Sequence, residues 1–125
     1  MVIVVDDDST VRESLESLLK SAAFNPVAFS SAEDLLESGL LASASCVITD
    51  MLMPGIPGLE LQRQIKREYP RLPVIMISGH RAEEMKRRAL SEGASAFLYK
   101  PVDPNDLLHA LSLALSDLSD SQKDT

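Results

Sequence analysis

Residues 46–58 read Cys-Val-Ile-Thr-Asp-Met-Leu-Met-Pro-Gly-Ile-Pro-Gly. An apolar run that stops at one carboxylate, followed at once by a loop rich in Pro and Gly, is typical of a buried strand. The pattern predicts a strand that ends at Asp50 and delivers this residue to the edge of a sheet. We expect the Asp50 side chain to be presented there rather than buried.

Three further apolar runs end in polar side chains. Residues 2–5 stop at an acidic trio, residues 74–77 stop at Ser78, and residues 96–99 stop at Lys100. If the strands are parallel, their carboxyl ends lie on one edge, which is where open α/β sheets place their ligand sites. Carboxylates, a hydroxyl and an amine are therefore expected to converge on one pocket.

Helical periods separate the apolar runs. Five β and five α segments in strict alternation predict an α/β fold, a three-layer α/β/α sandwich around a five-stranded parallel sheet. Ser9 or Thr10 is expected to cap the first helix, and Leu40 to close the buried stripe of the second. The fourth helix, at about 82–92, has thin apolar content and is expected to be the least firmly packed.

Length and composition indicate one globular domain. The chain has 125 residues, 45% hydrophobic and 25% charged, which is ordinary for a single domain with a real core. We expect the domain to occupy residues 1–118, with residues 119–125 as a linker or disordered tail. No apolar stretch reaches the ~18 residues that span a bilayer, so no membrane segment is expected.

Charge and cysteine content indicate which partners and which cellular location the sequence favours. The net charge of −7 argues against nucleic-acid binding by this domain. The single cysteine, Cys46, rules out an internal disulfide and fits a reducing cytoplasm. We therefore expect a cytoplasmic domain that does not itself bind nucleic acid.

The acids at the strand ends point to a cation. Asp6, Asp7 and Asp50 would raise each other's pKa if all three lay a few ångströms apart, and a divalent cation removes that conflict. Hard oxygen ligands favour Mg2+ or Mn2+ over zinc. Such an ion beside Lys100 and the Ser78 hydroxyl suits a phosphoryl group, with Asp50 as a nucleophile able to form an aspartyl phosphate.

Five short motifs are spread over nearly the whole chain. They are Val-Val-Asp-Asp-Asp at 4–8, Asp-Met-Leu-Met-Pro-Gly-Ile-Pro-Gly at 50–58, Ile-Ser-Gly at 77–79, Glu-Gly-Ala at 92–94 and Phe-Leu-Tyr-Lys-Pro at 97–101. With these motifs the chain resembles the receiver domains of two-component response regulators, and its pattern is most similar to receivers of the LuxR/FixJ type. The resemblance implies a flavodoxin-like, CheY-like sheet of strand order 2-1-3-4-5.

The resemblance also implies roles for the residues at the strand ends. Asp50 would be the phosphoacceptor and Asp7 a direct ligand of the metal ion. Asp6 would act mainly through a metal-bound water, and the backbone carbonyl of Leu52 would complete the protein's ligands. Lys100 would pair with the phosphoryl oxygens.

Two residues would carry the response to phosphorylation. Ser78 would hydrogen-bond the phosphoryl group and draw the fourth loop inward, and Phe97 would be the switch aromatic. The bond from Lys100 to Pro101 is expected to be cis. Pro57 before Gly58, and His80 after the Ile-Ser-Gly motif, depart from the usual family pattern.

The resemblance further implies partners. A histidine kinase or phosphotransfer protein would donate the phosphoryl group, and a helix-turn-helix, DNA-binding effector domain would lie outside this chain. The fourth helix, fifth strand and fifth helix would form the output surface. Four residues are candidates there for an ion-paired contact in a phosphorylation-dependent homodimer: Arg87, Arg88, Tyr99 and Asp106.

Alternative functions remain open. Asp6, Asp8 and Thr10 match the Asp-x-Asp-x-Thr motif of haloacid-dehalogenase-type phosphatases, in which Asp6 would be the nucleophile and Asp50 would have no role. The chain lacks the late acidic pair and the cap domain of such enzymes. A receiver fold could also serve as an interaction module without phosphorylation, although the complete acidic and basic set speaks against it. A flavin-binding domain has little support, because no loop rich in Ser and Thr follows the first strand.

Overall fold

The computed structural model describes the backbone of residues 1–123 and the side chains of residues 1–116. The strands are Val2–Val5 (β1), Pro26–Phe29 (β2), Cys46–Asp50 (β3), Val74–Ser78 (β4) and Ala96–Tyr99 (β5). The helices are Ser9–Ser21 (α1), Ala32–Ser38 (α2), Gly58–Glu68 (α3), Glu83–Ser91 (α4) and Pro104–Lys123 (α5). A short 3-10 helix, Leu40–Ser43, follows α2.

The five strands form one parallel sheet of order β2-β1-β3-β4-β5. The predicted fold class and strand order are therefore confirmed. Asp50 at the end of β3 lies opposite Ile77 of β4, and Ser78 at the end of β4 lies opposite Tyr99 of β5. This register places the carboxyl ends of β3, β4 and β5 side by side.

Successive strand residues face opposite sides of the sheet, so buried apolar clusters form on both of its faces. On one side, β1, β3 and β4 pack against α1 and α5 through Val2, Val4, Leu15, Leu19, Cys46, Ile48, Ile75, Ile77, Leu107 and Leu111. On the other side, they pack against α2 and α3 through Ile3, Val5, Ala32, Leu35, Val47, Leu61, Ile65 and Val74. The predicted three layers follow from this alternation.

Two local expectations were wrong. Asp8, rather than Ser9 or Thr10, caps α1, because its carboxylate accepts hydrogen bonds from the backbone N–H groups of Thr10 (2.8 Å) and Val11 (3.4 Å). Helix α2 ends at Ser38, since the next residue, Gly39, has a left-handed φ of 72°. Leu40 therefore starts the 3-10 helix and is half-buried, while Leu41 enters the core.

Helix α4 is packed unevenly along its length. Within Glu83–Ser91, all of which is described, Ala89 is the one buried residue, and Leu90 is exposed. The C-terminal end is tied to α3: Gln62 Nε2 donates to the Ala89 carbonyl (3.0 Å), and Arg63 donates to both carboxylate oxygens of Glu92 (2.6 and 3.0 Å). The N-terminal end has no side-chain cap.

Helix α5 continues to Lys123, so residues 119–123 are helical in the described chain. Residues 124–125 lie outside the described residues, and the domain boundary at residue 118 stays a prediction. None of the described helices combines the length and the hydropathy that a membrane crossing requires.

Candidate functional site

Three carboxylates meet at the carboxyl edge of the sheet. Asp6, Asp7 and Asp50 each offer one oxygen, and these oxygens all lie within 4.8 Å of one another. The structure thus brings together the acids that the sequence predicted. Asp50 is only 5% exposed and Asp6 is fully buried, whereas Asp7 is exposed. The expectation that Asp50 is presented rather than buried was wrong, because the loop after β3 turns back over the strand end.

Lys100 joins two of these acids. Its Nζ lies 2.9 Å from Asp6 Oδ2 and donates a 3.1 Å hydrogen bond to Asp50 Oδ2. Burial would lower the pKa of Lys100, but the two carboxylates outweigh that effect and the pKa is raised. Burial, and then the negative charge of Asp6, raise the pKa of Asp50, although Lys100 opposes both. The ammonium is therefore held charged between two acids that repel each other.

The loop between β1 and α1 is held by its own hydrogen bonds. Asp8 N–H donates to Asp6 Oδ1 (2.9 Å), and Arg12 Nη1 donates to the Asp6 carbonyl (2.7 Å). Arg12 was not among the residues predicted for the site, although it lies in the helix that directly follows the acidic trio. These bonds fix the backbone on both sides of Asp7.

The loop between β3 and α3 closes tightly on Asp50. Gly58 N–H donates to the Met51 carbonyl (2.9 Å), and a Cβ on Gly58 would overlap the Asp50 carbonyl oxygen. Leu52 N–H points at Asp50 Oδ1 at 3.4 Å. Only glycine fits at the start of α3, since the chain returns to within contact of the strand end.

Ser78 and Lys100 lie on neighbouring strand ends. Lys100 N–H donates to the Ser78 carbonyl (2.8 Å), and the Lys100–Pro101 peptide is cis, as expected. The buried Ser78 hydroxyl exchanges hydrogen bonds with the backbone N–H and carbonyl of His80, both at 3.1 Å. The hydroxyl is thereby engaged with the start of the loop that leads to α4.

Two aromatic residues of β5 connect the sheet to α4. Phe97 is buried and meets the Tyr99 ring edge to face, with centroids 5.5 Å apart. Tyr99 OH donates to Glu83 Oε1 (3.1 Å), and Arg81 and Lys86 lie over its ring at 5.3 and 5.6 Å. Burial, and then the bond to Glu83, raise the pKa of Tyr99.

The candidate dimer residues belong to α4, β5 and α5. Arg87 pairs with Glu84 of its own helix at 3.2 Å, and Arg88 approaches Glu92 at 3.9 Å. Asp106 is exposed in the first turn of α5. Their role in a dimer stays a prediction.

The acidic cluster fits a hard divalent cation. Asp6 Oδ2 is buried, and within the described part of the chain its one polar contact is the ion pair with Lys100. The grouped ligand atoms are all carboxylate oxygens, without His or Cys. A set of carboxylate ligands of which one, Asp7, is exposed suits Mg2+, because this ion usually keeps several water molecules among its ligands.

Comparison with known proteins agrees with this geometry. Residues 2–112 match the sequence profile of the response regulator receiver domain. The chain is 36% identical to the transcriptional regulatory protein TdiR of Thauera aromatica, over 98% of this chain and 56% of that protein. It is 37% identical to the transcriptional regulatory protein FixJ of Azorhizobium caulinodans, over 91% of this chain and 54% of that protein.

A solved receiver domain from Clostridium thermocellum superposes with a TM-score of 0.88 at 33% identity, covering 93% of this chain and 94% of that one. The chain spans about half the length of the curated relatives it matches. With the profile match over most of its length and the acidic cluster at the predicted sheet edge, the chain belongs to the family of response regulator receiver domains.

Proposed function

We propose that this domain takes a phosphoryl group onto Asp50 in a Mg2+-dependent reaction. One observation carries the proposal: the Asp50 carboxylate is buried, hydrogen-bonded to Lys100 and grouped with two further carboxylates. Burial with a cation partner and a metal site is the arrangement that turns a carboxylate into a phosphoryl acceptor. The domain would itself catalyse the transfer from a phosphoryl donor onto its own Asp50, and the later hydrolysis, and would have no other enzymatic activity.

The proposed transfer requires only small changes in the contacts that the protein makes. An Asp50 oxygen attacks phosphorus, the bond from phosphorus to the donor breaks, and the leaving group takes the electron pair. Lys100 would exchange its contact with Asp50 for one with a phosphoryl oxygen, keeping its charge. Asp7, Asp50 and the Leu52 carbonyl would hold Mg2+, with Asp6 acting mainly through a bound water, and the ion would supply positive charge to the transferring group.

The response to phosphorylation would begin at Ser78. Its hydroxyl now bonds the His80 backbone and would turn to a phosphoryl oxygen, drawing the β4–α4 loop inward. That loop leads to the uncapped N-terminal end of α4, which lies next to Tyr99 and the buried Phe97. A two-state element of this kind allows a local charge change to alter a distant surface.

The phosphoryl donor would be a histidine kinase or a phosphotransfer protein. A cavity of about 230 Å³ lies next to Lys100, between α1 and the start of α5, and leaves this flank of the site approachable. A cytoplasmic location fits the reduced thiol of Cys46. The relatives extend beyond the matched length, which supports a helix-turn-helix, DNA-binding effector domain in the full protein.

The output surface of α4, β5 and α5 would form a homodimer after phosphorylation. Arg87 and Asp106 carry opposite charges on exposed parts of α4 and α5. Leu113 of α5 is an apolar residue that is 53% exposed. Because the two partners of a symmetric dimer present the same surface, the positive group of each can pair with the negative group of the other.

Charge reversal tests this dimer. Arg87→Asp and Asp106→Arg are each expected to weaken dimerisation by about tenfold, because like charges then face each other. The double variant should recover most of the loss. Light scattering after treatment with acetyl phosphate and Mg2+ measures the association. A natural chain that stays monomeric when phosphorylated would contradict the proposed contact.

Intact mass after incubation with acetyl phosphate and Mg2+ tests the phosphoacceptor. The natural chain is expected to gain one phosphoryl group that hydroxylamine removes, and Asp50→Asn to gain none, because the amide is not a nucleophile. No gain in the natural chain would favour an interaction module. An adduct that survives Asp50→Asn but is lost in Asp6→Asn would favour the phosphatase chemistry with Asp6 as nucleophile.

A further inference from the structure

The loop of residues 51–57, between β3 and α3, has few ways to fix its own backbone. Pro54 and Pro57 provide no N–H group. Apart from Asp50 at the strand end, Glu33 is the one described side chain outside the loop that hydrogen-bonds its backbone. Ile56 N–H donates to Glu33 Oε1 at 3.1 Å, across 23 positions of sequence. Glu33 lies in the first turn of α2, so a separate helix holds this loop.

The contact between Glu33 and the loop is closely fitted. Gly55 has a left-handed φ of 79°, and a Cβ built on it would overlap the Glu33 carboxylate. The left-handed backbone angle favours glycine there, and the Glu33 carboxylate occupies the space that a Cβ would take. The carboxylate therefore lies directly against the turn of the loop.

The loop of residues 51–57 is connected to the acidic cluster by a short length of chain. Met53 is buried in the core beside Ala32 and Leu35 of α2, and Gly58 lies against the backbone of Asp50. Leu52, the predicted carbonyl ligand, stands between Asp50 and the buried Met53. A shift at Ile56 would thus be passed to Leu52 and to the backbone on which Asp50 stands.

We propose that Glu33 is a positioning residue for the metal site. By accepting the Ile56 N–H and filling the turn at Gly55, it sets the conformation in which the loop offers the Leu52 carbonyl beside Asp50. The inference rests on the proposed function, because the cation at this cluster is part of that function. Residues that orient ligands affect metal affinity without touching the metal.

The role needs a hydrogen-bond acceptor and does not need a charge. Glu33→Gln keeps a carbonyl oxygen at the same reach, so it should retain the bond to Ile56. Glu33→Ala removes the acceptor and opens the space at Gly55. Both variants lose the same negative charge, so the difference between them isolates the positioning effect from long-range attraction of the cation.

Isothermal titration calorimetry of the unphosphorylated protein with Mg2+ measures the change in metal affinity directly. We expect Glu33→Ala to raise the dissociation constant by about tenfold, and Glu33→Gln to stay within about twofold of the natural chain. Glu37→Ala, an exposed acid on the same helix, is the charge control and should also stay within about twofold. Amide hydrogen exchange at Ile56 should accelerate in Glu33→Ala alone.

The outcomes separate this inference from the proposed function. If Glu33→Ala frees the Ile56 amide but binds Mg2+ as the natural chain does, Glu33 supports the loop only and the inference fails. If Glu33→Gln is as weak as Glu33→Ala, charge rather than positioning is responsible, and the inference fails again. If the natural chain binds no Mg2+, the metal-dependent function fails first and the inference falls with it.

Discussion

Gly58→Ala is expected to lower the free energy of unfolding by about 3 kcal/mol, because overpacking against backbone cannot be relieved by a side-chain rotation. The added Cβ would overlap the Asp50 carbonyl oxygen and crowd Met51 Cα. The strand end and the start of α3 must separate to admit it, which displaces Asp50. Urea unfolding followed by circular dichroism measures the loss, and phosphorylation by acetyl phosphate should slow in parallel.

Gly39→Ala is the matched control. Gly39 has a φ of 72°, but nothing lies within 4 Å of the added Cβ. Its cost is backbone strain alone, about 1 kcal/mol. If Gly58→Ala costs no more than Gly39→Ala, the close approach of α3 to Asp50 is not a constraint on the site.

Lys100→Met is expected to change phosphorylation and metal binding in opposite directions. Losing the ammonium removes a cation from the transferring phosphoryl group, so the rate with acetyl phosphate should fall by about 100-fold. The same change leaves Asp6 and Asp50 without their shared partner. Mg2+ then meets no competing cation and should bind several-fold more tightly.

Rates come from intact mass at timed intervals, and Mg2+ affinity from calorimetry on the phosphoryl-free chain. Lys20→Met is the control, since Lys20 lies exposed in the last turn of α1 and should alter neither quantity. Weaker Mg2+ binding in Lys100→Met would mean that the lysine supports the acidic cluster rather than competing for it.

The sequence was sufficient to predict the fold because hydrophobic periodicity and strand-end chemistry agree along the whole chain. Strands were predicted to end at Asp50 and at Ser78, and β3 and β4 end at these residues. Since parallel strands place their carboxyl ends on one edge, the meeting of Asp6, Asp7 and Asp50 followed from topology alone. The same reasoning placed Lys100 beside them.

Other features depend on contacts between distant parts of the chain, which periodicity does not report. Asp50 was expected to be presented and is buried, because Gly58 folds the following loop onto it. The bonds from Arg12 to the Asp6 carbonyl and from Ile56 to Glu33 join residues with no shared pattern. The cap of α1 was expected at Ser9 or Thr10, but the Asp8 carboxylate provides it.

Identifying the modified residue chemically is the most direct test of the claim that Asp50 is the phosphoacceptor. Borohydride reduces an aspartyl phosphate to homoserine, so treatment of the acetyl phosphate-modified chain, followed by peptide mass spectrometry, marks the acceptor. We expect homoserine at position 50 in the natural chain, dependent on Mg2+ and absent in Asp50→Asn. Homoserine at position 6, or no conversion at any position, would contradict it.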